Sequence, residues 1–162
     1  INDLRNLSHR LTPYAKEEVS LKRIIELLIE PMQKTNQFEI KLQVDEFENT
    51  AVDSDIQTNL YRIVQEQLTN ILKHARASKV KISVRLTKKI LKLGIADNGI
   101  GFDPASLKDG IGLENIKRRA EMFSGKLKLK SSPGNGCEMI VELPLKTDPE
   151  KISEKVLVTT DL

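Results

Sequence analysis

The sequence predicts one globular domain built from helices and strands together. Three observations predict it. Stretches with apolar residues at helical spacing are interleaved with stretches in which apolar and polar residues alternate strictly. Glycines gather in short groups at the ends of these periodic stretches. The length of 162 residues, with 39% apolar and 30% charged side chains, suits one domain with a real core.

The elements come in order along the chain. Leu4, Leu7 and Leu11 lie at helical spacing, and Pro13 closes that segment. Ser20 precedes a helix from Leu21 to about Lys34, with Leu21, Ile24, Ile25 and Leu28 on one face. Phe38, Ile40, Leu42 and Val44 alternate as a half-buried strand. Asp53 or Ser54 caps a long helix running to about Arg76, whose core face carries Leu60, Ile63, Val64, Leu68, Ile71, Leu72 and Ala75. Val80 to Leu86 is a strand, Lys88-Lys89 a turn, and Leu91 to Ile95 the next strand. Glycine punctuation runs from Gly99 to Gly112, and a helix spans about Leu113 to Phe123 until Gly125 ends it. Lys126 to Ser131 and Cys137 to Leu143 are the last strands. Pro144 and Pro149 bracket a polar tail whose apolar patch is Val156 to Val158. The first residue is Ile1 rather than Met, so the chain reads as a piece of a longer protein.

Composition narrows the function classes. A formal net charge of +3 with both signs interspersed, 4% aromatics and no Trp argue against nucleic-acid binding. The single cysteine, Cys137, rules out an internal disulfide and a cysteine-based zinc site, and fits a reducing, cytoplasmic setting. No apolar run approaches the ~20 residues of a membrane span, so no membrane contact is expected of this piece.

Four groups of residues point to chemistry. On the long helix, Glu66, Asn70 and Lys73 fall on one stripe beside His74. A hard cation such as Mg²⁺ takes oxygen ligands and keeps waters and substrate phosphates in its shell. Asn70 offers a carbonyl oxygen, Glu66 can hold a coordinated water, and Lys73 can meet phosphate charge. A solvated polar face is the alternative. The second group is Asp97-Asn98-Gly99-Ile100-Gly101. Asp97 shares parity with Leu91, Leu93 and Ile95 and is expected on the core side, where a carboxylate needs a donor such as the amine of adenine. Gly99 and Gly101 would let backbone approach a flat ring, although Asn-Gly is also a common turn. The third is Gly110-Ile111-Gly112-Leu113, opening a helix whose free N–H groups suit a triphosphate. It lacks the Gly-Lys-Ser/Thr of a Walker loop. The fourth is Gly134-Asn135-Gly136-Cys137, and Cys137 is expected to face the same interior as Asp97.

These groups together resemble the GHKL ATPase superfamily. Glu66 to Ala75 resembles its N box, Asp97 to Gly101 its first glycine box, Gly110 to Leu113 its second and Gly134 to Cys137 its third. Order and spacing agree from about residue 20 to Leu145. Lys73-His74-Ala75 and Gly110 to Ala120 are similar to sensor histidine kinases of the nitrate-sensor and desaturase-regulator type. The resemblance implies an α+β two-layer sandwich, the Bergerat ATP-binding fold, with helices on one face of a mixed sheet. It implies ATP and Mg²⁺ as cofactors, with phosphoryl transfer to a histidine on the protein's own dimerisation domain, a response regulator as partner, and a homodimeric, membrane-anchored or soluble full-length kinase. It divides the chain into a dimerisation-helix remnant and linker at 1–19, the ATP-binding domain at 20–146 and a tail at 147–162.

The implied roles are specific. Asp97 reads adenine, with Gly99, Gly101 and Cys137 around it. Gly110, Ile111, Gly112 and Leu113 hold phosphates, Asn70 ligates Mg²⁺, and Glu66 orients a metal-bound water or acts as a base. Lys73 and His74 offset phosphate charge. Cys137 departs from the usual Thr and removes a hydroxyl from the adenine side. His9 precedes Arg10 where the family's acceptor histidine precedes an acidic residue, so His9 reads as a helix-surface residue and the acceptor lies upstream. The alternatives are a serine kinase of the anti-sigma type and a degenerate nucleotide-binding domain without phosphotransfer.

Overall fold

The computed structural model describes residues 20–34, 37–45, 52–106 and 111–145. The expected dimerisation remnant, His9, Gly110 and the tail therefore lie outside the described residues. Helix α1 (Leu21–Gln33) is followed by strand β1 (Glu39–Val44), helix α2 (Ser54–Asn70) and a π-helical turn (Ile71–Ala75). Strands β2 (Lys79–Thr87) and β3 (Ile90–Asp97) come next, then a 3₁₀ turn (Pro104–Ser106), helix α3 (Ile111–Glu121) and strands β4 (Lys126–Ser131) and β5 (Cys137–Pro144).

The five strands form one mixed sheet in the order β1-β2-β3-β5-β4. β1 runs parallel to β2, and the remaining neighbours are antiparallel. Strand alternation decides the faces. Val80, Ile82 and Val84 of β2, Leu91, Leu93 and Ile95 of β3, and Met139, Val141 and Leu143 of β5 are buried in one core with Ile25, Leu60, Ile63, Val64 and Leu68 of the helices. The intervening residues, Lys81, Arg85, Lys92 and Glu138 among them, are exposed on the opposite face. This is the two-layer arrangement that the resemblance implies.

Capping settles the helix starts. The Ser20 side chain accepts the Arg23 N–H (3.3 Å), and Asp53, rather than Ser54, caps α2 by accepting the Asp55 N–H (2.7 Å). Two expectations need correction. The long helix is not α-helical to its end. After Asn70 its pitch widens into the π turn, which closes on Arg76 in the left-handed region (φ 50°). An extra residue per turn rotates the side chains of that turn about the axis, so Leu72, expected on the core face, is 39% exposed. The helix at the second glycine group begins at Ile111 and ends at Glu121, earlier than expected at both ends. Gly112 thus lies inside its first turn instead of preceding it.

The core face of α2 also carries amides that periodicity does not reveal. Asn59 is buried and its Nδ2 donates to the Arg119 carbonyl (2.9 Å). That bond ties the far end of α3 to α2.

Candidate functional site

The described parts of the sequence groups lie toward one end of the sheet, where Ala75, Ile100 and Gly134 are bonded and Gly112 stands against Glu66 and Asn70. The π turn, the loop after β3 and the β4–β5 turn interlock there through backbone. Ile100 N–H donates to the Ala75 carbonyl (2.8 Å), and Gly134 N–H to the Ile100 carbonyl (2.6 Å). Asn98 clamps the neighbouring strand: its Oδ1 accepts the Ser78 and Lys79 N–H groups (3.0 and 2.8 Å) and its Nδ2 donates to Ser78 Oγ (2.9 Å).

The glycines are explained by this interlocking. A Cβ on Gly99 would overlap the carbonyl of Ala75. One on Gly101, whose φ is +61°, would overlap the carbonyl of Ser132. The close approach they permit in the structure is to neighbouring backbone, so glycine is required here whether or not a ring lies nearby. Gly99→Ala is expected to cost roughly 1–3 kcal/mol, because two backbone segments must part to admit the methyl group. A thermal melt checks this: a drop of about 5 °C or more is expected, and an unchanged melt would contradict the approach described.

Asp97 pairs with Cys137 across the β3–β5 ladder, and Cys137 pairs with Ser131 across β5–β4. The three side chains therefore share one row and one face, as parity led us to expect for the first two. Asp97 is half-buried, and its Oδ1 accepts the Gly99 N–H (2.8 Å). The turn itself thus gives this inward carboxylate a donor. Burial raises the Asp97 pKa above the usual carboxylate value, while hydrogen bonds from the Gly99 and Cys137 backbone oppose the shift. The Cys137 thiol is pushed up to about 11, by burial first and then by the charges of Asp97 and Glu138. It is a neutral thiol at physiological pH and not a nucleophile. A depression of about 440 Å³ opens at the end of these strands, lined by Asp97, Cys137 and Ser131 and also by Ala96, Glu138 and Lys130 of the adjacent row on the other face.

Glu66 and Asn70 are both half-buried and point at the same place. A Cβ built on Gly112 would stand 2.7 Å from Glu66 Oε1 and 2.8 Å from Asn70 Oδ1. The first turn of α3 is thus seated directly in front of these two oxygens, and a side chain at position 112 would push them aside. Among the described residues no group of three or more His, Cys, Asp or Glu side chains converges on a point. Two oxygen donors with room for few others match a hard cation that takes the rest of its shell from phosphate and water.

The expected stripe is not brought together whole. Lys73 and His74 sit on the π turn, are exposed, and make no hydrogen bond or ion pair among the described residues. Ile111, Gly112 and Leu113 form the first turn of α3. Their N–H groups have no partner within the helix, and the helix dipole favours an anion at that end.

Similar proteins place this arrangement. Residues 55–147 match the family model described as histidine kinase-, DNA gyrase B- and HSP90-like ATPase. The chain is 30% identical over 155 residues to the sensor histidine kinase LiaS of Bacillus subtilis (strain 168), spanning 95% of this chain and 42% of LiaS. It is 32% identical over 148 residues to the sensor histidine kinase ComP of the same organism, spanning 90% of this chain and 19% of ComP. The chain therefore spans less than half the length of either relative. The histidine kinase domain of the blue-light activated histidine kinase from Erythrobacter litoralis EL346 shares the fold, with a TM-score of 0.64 at 22% identity over 77% of this chain and 63% of that one. So does the ATP-binding domain of PrrB from Mycobacterium tuberculosis, with a TM-score of 0.63 at 19% identity over 80% of this chain and 96% of that one. With its helices on one face of a mixed sheet, the chain belongs to the histidine kinase-, DNA gyrase B- and HSP90-like ATPase family, and within it is similar in sequence to sensor histidine kinases.

Proposed function

We propose that this domain binds Mg²⁺-ATP between α2 and the sheet and presents its γ-phosphoryl group to a histidine on the dimerisation domain of the same protein, from which a response regulator receives it. The observation that carries the reading is the convergence of Glu66 and Asn70 on the start of α3, at the same end of the sheet as Asp97. In this reading Asp97 accepts the adenine amine, and the N–H groups of Ile111, Gly112 and Leu113 hold phosphate oxygens with Gly110. Asn70 and Glu66 hold the metal, Asn70 directly and Glu66 through a water. Bound Mg²⁺ supplies charge neutralisation on the phosphates. Lys73 and His74, both exposed at the rim, add positive charge when the phosphates lie near them. Positioning and electrostatics supply most of phosphoryl-transfer catalysis, so the side chains need no covalent step. The base role of Glu66 is minor here, because a neutral imidazole attacks without first losing a proton. No helix among the described residues is long and apolar enough to cross a membrane.

The test is self-phosphorylation. Incubated with labelled ATP, the chain alone is expected to acquire no acid-labile phosphate. It is expected to label the dimerisation domain of the full-length protein in trans, and weakly. Robust label on His9 would overturn the assignment of the acceptor. Failure to bind ADP would overturn the reading as a whole.

A further inference from the structure

Ser131 belongs to none of the four sequence groups, yet it sits where two of them meet. Its hydroxyl accepts the Phe102 N–H (3.0 Å) and donates to the Gly136 carbonyl (2.7 Å). The first bond holds the loop that comes after Asp97. The second holds the turn that leads into Cys137. A hydroxyl has one proton and two acceptor sites. The proton goes to Gly136 and one acceptor site to Phe102, and the Cys137 thiol shares a hydrogen bond with the same hydroxyl. In the row Asp97–Cys137–Ser131, the carboxylate only accepts when ionised and the thiol is weak in both senses. Ser131 is the one hydroxyl of the row.

We infer that Ser131 is a positioning residue for base recognition: by tying the Gly99–Phe102 loop to the Gly134–Gly136 turn, it fixes the direction in which Asp97 meets the base. The mechanical route is short. The Gly99 N–H that orients the Asp97 carboxylate belongs to the loop that Ser131 holds at Phe102. The Cys137 N–H, also bonded to Asp97, comes directly after the Gly136 carbonyl that Ser131 holds. Both donors on Asp97 therefore hang from segments that this hydroxyl joins, alongside the backbone bond from the Gly134 N–H to the Ile100 carbonyl. Loss of Ser131 removes the side-chain tie at Phe102 and at Gly136, leaving the Gly134–Ile100 backbone bond and Asp97, Asn70 and Glu66 in place. The inference rests on the nucleotide-binding reading.

Competition calorimetry with ADP, ATP and GTP, with and without Mg²⁺, tests it on the wild type, Ser131→Ala and Ser131→Thr. Ser131→Ala is expected to weaken ADP and ATP by the same factor, about 10-fold for two lost hydrogen bonds. GTP, whose base carries a carbonyl oxygen where adenine has its amine, should weaken little, so the ATP-to-GTP ratio falls about as far. The Mg²⁺ dependence should not change, and Ser131→Thr should restore both affinity and selectivity. A residue that only stabilised the fold would lower the affinities for ATP and GTP together. Equal loss for the two nucleotides, or unchanged ATP affinity, therefore overturns the inference. Should Ser131→Ala melt below the assay temperature, Ser131→Cys, which keeps the size and weakens the bonds, carries the same comparison with the same outcomes. A wild type that binds no ADP overturns the nucleotide-binding reading itself. A selective wild type with an equally selective Ser131→Ala overturns only the role of Ser131.

Discussion

ATP is expected to bind at least ~100-fold more tightly than GTP, and Asp97→Asn to collapse that preference while weakening ATP. An ionised carboxylate accepts hydrogen bonds and cannot donate them. Adenine offers an amine at the edge in question, whereas guanine presents a carbonyl oxygen. Guanine would set two acceptors face to face in a desolvated pocket. A charge-assisted hydrogen bond contributes roughly 1.5–3 kcal/mol, and leaving its buried partner unpaired costs at least as much. Competition binding with ATP, ADP and GTP on wild type and Asp97→Asn checks this; equal affinities in the wild type would place base recognition elsewhere. Because the Cys137 thiol stands beside Asp97 in the same row, Cys137→Thr is expected to tighten ATP in the same assay.

Asp97→Asn has an opposite effect on stability. Burial raises the Asp97 pKa in the folded state, so the folded protein holds that proton more tightly than the unfolded chain does. The stabilising share is present below the unfolded-state pKa and lost as pH rises through the folded-state pKa. At neutral pH an ionised Asp97 is therefore a cost to the nucleotide-free fold. Asn keeps an oxygen for the Gly99 N–H and carries no charge. Nucleotide-free Asp97→Asn should melt above the wild type at pH 7, with the gap closing as pH falls into the carboxylate range. A group retained against stability is what binding requires of a site and packing does not.

Asn70→Ala is expected to abolish the Mg²⁺-dependent part of ATP-analogue binding and to lower phosphotransfer by at least about 100-fold, the scale on which one preorganised electrostatic group acts. The fold should persist. Asn70 is half-buried at the end of α2, and its contact with Gln67 Oε1 is long, at 3.5 Å. Asn70→Asp keeps an oxygen and adds charge, so it should change metal preference instead of ending it. Calorimetry with and without Mg²⁺, beside a thermal melt, separates a lost ligand from a lost fold. An Asn70→Ala protein with the wild-type Mg²⁺ dependence would sink the assignment.

Much of the architecture was legible in the sequence because it is local. Period-two alternation put Val80 to Leu86 and Cys137 to Leu143 in strands with the correct buried face, and Ser20 and Asp53 marked helix starts by their own capping side chains. Parity alone put Asp97 and Cys137 on one face, since a strand leaves its side chains only two directions. Other features were out of reach because their causes lie across the fold. The π turn that exposes Leu72, Lys73 and His74 is met by the loop after β3, where Ile100 bonds Ala75 and Gly99 leaves room for its carbonyl, and no periodicity encodes that contact. Asn59 and Ser131 look like ordinary polar residues in the sequence. Their partners are carbonyls and N–H groups on other elements, brought within reach only when the helices pack and the strands pair. The sequence determined which residues are candidates for chemistry and, in the strands, which way each faces. Tertiary structure alone decided their separations, because a hydrogen bond is made or lost within a few tenths of an ångström and no single element sets distances to that precision.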